Sequence, residues 1–252
     1  MTDMAILPFN DDAPRRNIRY PYVTYGLLAA CLFVFIYQLS LSEYATKIFW
    51  TTYGTIPAAV FGNGPWAFAP EVAPVPPWGT LFSSMYLHAG FMHIIANMLF
   101  LWVLGDNVED SLGHARYLCF YSICGIIAAL AHSISDPVSH IPMIGASGAV
   151  SGVIGAYLVL HPRAPIRVLL LIFIIWLPAW VVLGFWIGYQ IFCTITATDG
   201  SVAWWAHIAG FFFGAVMIIF MRRRGTPIFD ENYVKIDHRL LSTRPRKSRH
   251  QN

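Results

Sequence analysis

Residues 143–157 read MIGASGAVSGVIGAY, a glycine- and serine-rich start that leads into an apolar run typical of a helix. Small residues recur along it at Gly145, Gly148 and Gly152. Such a pattern predicts a helix that a neighbouring backbone can approach closely. Ser147 stands at the start of this helix, between Ala146 and Gly148, where a bulky aliphatic side chain would bury more apolar surface. Its position makes Ser147 the first candidate for a functional residue.

The rest of the chain is suited to a lipid environment. Of its 252 residues, 57% are hydrophobic and 12% are charged, whereas soluble domains carry about 25% charged residues. Six apolar runs approach the roughly 20 residues that a membrane-spanning helix needs, and none alternates strictly as a strand would. The sequence therefore predicts an all-α fold, a polytopic membrane bundle of six transmembrane helices. These runs cover residues 22–39, 82–104, 117–133, 147–161, 168–192 and 202–221.

A signal peptide is the competing interpretation of the first run. The run is long for a signal peptide, and no A-x-A cleavage site follows it. A membrane-spanning helix is the better prediction.

Basic residues define the expected orientation. Arginines precede the first run, separate the second from the third and the fourth from the fifth, and follow the sixth, whereas the other side offers only Lys47. Because Lys and Arg mark the cytoplasmic side, both termini are expected in the cytoplasm, with a bacterial inner membrane as the expected location. The net charge of +3 then reflects topology, and we expect no nucleic-acid partner.

Three parts of the chain follow from this assignment. Residues 1–19 are expected to form a cytoplasmic N-terminal segment, 20–222 a membrane domain, and 223–252 a basic cytoplasmic tail. Within the membrane domain, residues 40–81 form a long outer loop that is rich in aromatic residues and proline. Aromatic residues favour the membrane interface, so we expect this loop to lie partly in the outer leaflet.

Four polar residues lie at membrane depth, where lipid offers them no hydrogen-bond partner. They are His93, Asn97, Ser147 and His207. At a rise of 1.5 Å per residue, Ser147 and His207 lie about 21 and 22 Å from the cytoplasmic ends of their helices, and His93 about 18 Å. Asn97 lies one turn deeper than His93 on the same helix face. Three helices thus place a serine and two histidines at similar depth.

Contact between Ser147 and His207 is expected from the glycines of their helices. Gly210 and Gly214 form a G-x-x-x-G motif, which allows close approach to the glycine-rich helix that Ser147 begins. A neutral imidazole can take the proton of a serine hydroxyl and so activate it as a nucleophile. Gly145 would permit a strained turn before the serine, and the free N–H groups of a first helical turn could stabilise an oxyanion.

Other interpretations of the same residues remain. A membrane serine often bonds back to its own helix, and His88 and His132 are expected to be interfacial residues. A proton or metal transporter could use His88, His93 and His207, but no acidic partner lies at their depth and no H-E-x-x-H motif is present. The lack of such an acid favours a Ser-His dyad over a Ser-His-Asp triad. We expect no metal and no cofactor.

The same residues resemble those of the rhomboid intramembrane serine proteases. GASG at 145–148 is similar to their G-x-S-G, HAGFMHIIAN at 88–97 to their H-x-x-x-x-H-x-x-x-N, and AHIAGFFFG at 206–214 to their A-H-x-x-G-x-x-x-G. EDSLGHARY at 109–117 resembles the segment that enters the third helix of the family. The four motifs occur in the family's order, on the expected helices, within residues 20–222.

The resemblance implies cleavage of single-span membrane proteins within or beside their transmembrane segment. It implies Ser147 as nucleophile, His207 as general base, and His93, Asn97 and the Ser147 backbone as oxyanion donors. Gly145, Gly148, Ser151, Gly210 and Gly214 would support the site. Many relatives have a tyrosine where this chain has Ser151, one turn after the nucleophile. The resemblance also implies a movable gate at residues 180–204, with ATDGS at 197–201 as hinge.

A non-catalytic member of the same fold, which binds and holds membrane clients, is the main alternative. Such relatives typically lose the serine or the histidine, and this chain has both Ser147 and His207. The sequence does not indicate an oligomeric state.

Overall fold

Helices dominate the fold, as the long apolar runs predict. The computed structural model describes residues 6–63, 74–170, 173–196 and 202–229. Nine α-helices, three strands and a 3-10 turn at Ser84–Tyr86 occur in these residues. The helices are α1 (Tyr22–Leu39), α2 (Glu43–Tyr53), α3 (Pro57–Val60), α4 (Pro77–Ser83), α5 (Phe91–Leu112), α6 (His114–Ser135), α7 (Ser147–Leu160), α8 (Ala179–Thr196) and α9 (Trp204–Met221). The strands are β1 (Ile6–Asp11), β2 (Pro165–Leu170) and β3 (Phe173–Pro178).

Five helices are long and apolar enough to cross a membrane, namely α1, α5, α6, α8 and α9. The fourth predicted span, 147–161, corresponds to α7, which has only 14 residues. Large apolar side chains on the outer faces of the bundle are exposed, including Phe33, Phe185 and Phe220. Exposed apolar faces of this kind match a lipid environment, so the fold is the helical membrane bundle that the sequence predicts.

The short helix α7 forms the centre of the bundle. Apart from Ser147, Leu158 and Val159, all of its residues are buried, and it contacts α5, α6, α8 and α9. Small residues make this possible, because a Cβ at Gly148 would lie 2.5 Å from Ala128 Cβ of α6, and one at Gly152 would lie 2.6 Å from the Cβ of Cys124. The core thus depends on close packing around α7.

Helices α7 and α9 run parallel and in backbone contact. A methyl group at Gly210 would collide with the carbonyl oxygen of Gly148, and one at Gly214 with that of Gly152. Gly155 stands equally close to the backbone of Phe211. The predicted G-x-x-x-G contact between these two helices is therefore present, in the register that pairs 148 with 210 and 152 with 214.

The fifth predicted span, 168–192, is wrong at its start. Its residues 168–170 and 173–178 lie in β2 and β3, which form an antiparallel sheet of order β1-β2-β3 with β1 of the N-terminal segment, and α8 begins only at Ala179. A continuous apolar run does not distinguish a buried strand from a helix, which explains the error. Pro178 ends β3 and stands directly before the helix, where it removes a ladder donor.

The N-terminal segment is more ordered than a polar lead-in predicts, because β1 adds an edge strand to this sheet. Strand β1 lies at the end of the bundle that carries Arg163, Arg167 and Arg222–Arg224. Of the predicted tail, residues 223–229 form turns and contact the bundle, for example where Arg223 N–H donates to Ser111 O at 2.8 Å. Residues 230–252 lie outside the described residues.

Two buried carboxylates fasten the N-terminal segment and α1 to α5. Glu109 accepts hydrogen bonds from the N–H groups of Val23 and Thr24, at 3.0 and 2.8 Å, and from the Thr24 hydroxyl at 2.7 Å. The first-turn N–H groups of α1, which have no partner within their helix, are thereby satisfied. Asp110 accepts from the N–H groups of Asn17 and Ile18 at 2.6 and 2.7 Å.

The predicted outer loop contains α2, α3 and α4, and its residues 64–73 lie outside the described residues. Placement of the loop in the outer leaflet stays a prediction. Cys31, Cys124 and Cys193 are buried free thiols, whereas Cys119 is an exposed free thiol on α6.

Candidate active site

Ser147 is the first residue of α7 and is half-buried. The turn before it depends on Gly145, whose φ of +127° lies in a region that favours glycine. Gly145 N–H donates to Ser84 O at 2.9 Å, which fixes this turn against the 3-10 turn. No side chain caps the helix, since its N-cap residue is Ala146. The N–H groups of the first turn are therefore oriented toward the Ser147 end without a side-chain acceptor.

The starts of α7 and α9, which carry Ser147 and His207, pack against each other at the same end of the bundle. Ala206, its neighbour in the chain, lies 3.8 Å from the Cβ position of Gly148, the neighbour of Ser147. The predicted hydrogen bond between the two side chains is not formed among the described residues. In unliganded enzymes catalytic hydrogen bonds are often long and tighten only with substrate, so the pairing stays a proposal for the working state.

The imidazole of His207 is held by α8. Its Nδ1 lies 2.8 Å from Gln190 Oε1. The rings of Trp186 and Trp204 flank it, with centroids 6.0 and 6.1 Å away. A carbonyl oxygen only accepts, so this bond places the proton on Nδ1 and leaves the Nε2 lone pair available. The ring is thus held although Ser151 stands where many rhomboid proteases, the family that the sequence resembles, have a tyrosine.

Ser151 itself bonds within its own helix. Its hydroxyl donates to the carbonyl oxygen of Ser147 at 2.6 Å. This back-bonding is the behaviour expected of an ordinary serine in a membrane helix. Ser147, at the first position of α7, makes no such bond in the described part of the chain.

His93 of α5 approaches the same region, and Asn97 lies one turn further along that helix. The His93 ring approaches Gly145 so closely that a Cβ there would lie 2.6 Å from Nε2. Its Nδ1 accepts from Ala89 N–H at 3.3 Å, which leaves Nε2 on the side of Gly145 and Ser147. Asn97 is buried, and its Nδ2 donates to His93 O at 2.8 Å. This amide group is therefore engaged with its own helix in this structure.

A small cavity adjoins Ser147. Its walls are mostly small side chains or glycines, and Ser147 stands at its edge together with Gly148. The lining residues that α6 and α9 supply are Gly125, Ala128, Ala129 and Ala206.

The sequence interpretation missed Gln190, Trp186 and Trp204. Gln190 is a polar residue in an apolar run, the same signal that marked His207. The predicted span 168–192 puts Gln190 near its end, because this span starts 11 residues before α8 does. Measured from Ala179, where α8 begins, Gln190 lies about 16 Å along the helix, at the depth of the other polar residues.

The sequence predicts that two further histidines, His88 and His132, lie at the membrane interface. His88 was expected at the interface, but it is fully buried. Its ring packs edge-on against His93 at 5.1 Å, and the chain around it is held by two bonds between its backbone and Gln38. His132 of α6 is half-buried. Among the described residues, no group of three His, Cys, Asp or Glu side chains is arranged to hold a metal ion.

Comparison with known proteins identifies the family. A family model described as the Rhomboid domain matches residues 76–224. The chain is 30% identical over 146 residues to RHOMBOID-like protein 5 of Arabidopsis thaliana, a match that covers 55% of this chain and 44% of that protein. It is 36% identical over 81 residues to the putative rhomboid protease YdcA of Bacillus subtilis, covering 32% of this chain and 40% of that protein.

A longer match is to Rhomboid-related protein 2 of Mus musculus, 30% identical over 197 residues, which covers 72% of this chain and 61% of that protein. The chain thus spans less than half of the length of the first two relatives. The matched domain takes in more than half of the chain and includes Ser147, His207, His93 and Asn97. The chain belongs to the rhomboid family.

Proposed function

We propose that this chain is an intramembrane serine endopeptidase that cleaves the transmembrane segments of other membrane proteins through a Ser147–His207 dyad. The observation that carries the proposal is that Ser147 stands at the uncapped start of α7, which packs against the start of α9, the helix that carries His207. Because its Nδ1 is bonded to a carbonyl oxygen, His207 presents a basic Nε2. Relatives named as rhomboid proteases support the activity.

In the proposed reaction, Nε2 of His207 takes the proton of the Ser147 hydroxyl while Oγ attacks the carbonyl carbon of the scissile peptide bond. The tetrahedral intermediate collapses as the same proton passes to the leaving amine, which gives an acyl-enzyme. Water then attacks the ester under the same base and releases the carboxylic acid. Oxyanion charge is stabilised by the Ser147 N–H and by His93 and Asn97.

Substrates are proposed to be single-span membrane proteins with a small residue at the cleaved position. The small-walled cavity beside Ser147 supports this choice. We further propose that both termini lie in the cytoplasm and that the membrane is a bacterial inner membrane, as the arginine distribution suggests. Residues 20–222 would then form the proteolytic domain, flanked by the two cytoplasmic segments.

The test is cleavage by the purified full-length protein in mild detergent, with a panel of single-span substrates. We expect the wild-type protein to cut at least one substrate, and Ser147→Ala and His207→Ala to cut none while keeping the wild-type unfolding temperature. A Ser147→Ala protein that still cuts would exclude the mechanism. Stable substrate binding without cleavage by the wild-type protein would instead favour the non-catalytic, client-binding alternative.

A further inference from the structure

Gln190 is a buried polar residue that the dyad does not use. Only 6% of its surface is exposed, and it lies on α8, a helix whose other side chains are mostly apolar. Its Oε1 lies 2.8 Å from Nδ1 of His207, which is 17 residues away on α9. Trp186 stands one turn before Gln190 on the same face of α8 and packs against the same imidazole.

A hydrogen bond to Nδ1 decides how a histidine works as a base. Neutral imidazole has one N–H donor and one lone pair, and the partner of one nitrogen determines which nitrogen carries the proton. An acceptor at Nδ1 puts the lone pair on Nε2, where a serine can use it, and prevents the ring from rotating away. In serine proteases with a triad this task falls to an aspartate.

No other neighbour of His207 can take this task in the described part of the chain. The indole nitrogens of Trp186 and Trp204 can only donate a hydrogen bond, so they cannot accept one from Nδ1. The titratable groups that act electrostatically on His207 are His93 of α5 and His132 of α6, and neither is hydrogen bonded to it. The hydroxyl of Ser151, which stands where many relatives have a tyrosine, donates to the carbonyl oxygen of Ser147 in its own helix.

We propose that Gln190 is a positioning residue that fixes the tautomer and the ring orientation of His207, so that the working unit is Ser147, His207 and Gln190. The inference rests on the proposed proteolytic function and deepens it. Because Gln190 and Trp186 lie on α8, the base is held in this orientation only while α8 is packed against α9. The region implied as the movable gate thus also carries the group that aligns the base.

The experiment compares three variants of the full-length protein in mild detergent. Gln190→Met keeps the length of the side chain and removes its oxygen, whereas Gln190→Glu keeps an acceptor and adds a charge. Thr194→Val is the matched control, because Thr194 lies one turn further along α8 and its hydroxyl donates only to the Gln190 main-chain oxygen. Labelling of Ser147 by a fluorophosphonate, substrate cleavage and thermal unfolding are measured for each variant.

We expect Gln190→Met to label and cleave about 10²-fold more slowly or worse, with little change in unfolding temperature, because general-base catalysis is worth about 10²–10⁴-fold. Gln190→Glu should recover much of the rate. Its carboxylate also stabilises the imidazolium form of His207, so the acidic limb of its pH–rate profile should move to higher pH. Thr194→Val should match the wild-type protein.

Gln190→Met with labelling and cleavage within twofold of the wild type would overturn the proposal. If Gln190→Met does not fold, Gln190→Glu decides: an acidic limb that stays at the wild-type position in a folded Gln190→Glu would show that this side chain does not contact Nδ1 of His207 in the working enzyme, and would overturn the proposal. If the wild-type protein itself neither labels nor cleaves, the proposed function fails. An active wild type with an unaffected Gln190→Met removes only the positioning role.

Discussion

Adding one methyl group at Gly214 should reduce activity about 10²-fold by separating the two helices that carry the dyad. A Cβ at this position would lie 2.5 Å from Gly152 Cα and 2.6 Å from its carbonyl carbon. Backbone atoms cannot rotate aside, so reaching an ordinary contact distance requires α7 and α9 to move apart by about 1 Å. Overpacking of this kind costs about 1–3 kcal/mol. A displacement of about 1 Å at the reacting groups can reduce the rate about 10²-fold.

The assay measures the cleavage rate of a single-span substrate and the thermal unfolding of Gly214→Ala in mild detergent. Gly188→Ala on α8 is the matched control, because a Cβ there meets no atom within 4 Å. Alanine is also favoured over glycine inside a helix by about 0.5–1 kcal/mol, so the control should unfold no earlier than the wild type and cleave at the same rate. A fully active Gly214→Ala, or an equally damaged Gly188→Ala, would refute the packing argument.

Three other expectations concern single side chains. Asn97→Ala should slow cleavage less than loss of Ser147 or His207 does, because backbone oxyanion donors remain; complete inactivation of a folded protein would contradict this. Glu109→Ala should lower the unfolding free energy by about 3 kcal/mol or more in denaturant titration, since buried donors lose their acceptor. Burial raises the pKa of Asp11 to about 7, so the folded state favours its protonated form, and stability should fall as the pH rises from about 4 to about 7. Asp11→Asn should flatten that dependence in thermal unfolding, and an unchanged slope would contradict the assignment.

Much of the fold follows from hydrophobic patterning, and the exceptions have physical reasons. The first span, 22–39, coincides with α1, because lipid-length apolar runs have few alternatives to a helix. Strands β2 and β3 escaped prediction because their residues are as apolar as those of a span and no polar turn separates them. Pairing with β1 depends on contacts between distant segments, which local patterns do not contain.

The candidate site divides in a similar way. Their polarity at membrane depth makes Ser147 and His207 candidates, and the glycines correctly predict that α7 and α9 touch. The sequence does not predict the contact between Gln190 and His207. The predicted span starts at residue 168 instead of Ala179, and this start puts Gln190 outside the depth at which the other polar residues lie. Whether two residues at equal depth face one another depends on helix rotation, and sequence alone does not determine that angle.

The most direct test of the central claim is covalent labelling of the purified wild-type protein in mild detergent with a fluorophosphonate, followed by mass spectrometry of the adduct. An activated nucleophile predicts a single adduct on Ser147 that disappears in a folded His207→Ala variant. Labelling of Ser147 that persists without His207 would contradict the dyad. No labelling, under conditions that modify an active rhomboid protease, would contradict the proteolytic function itself.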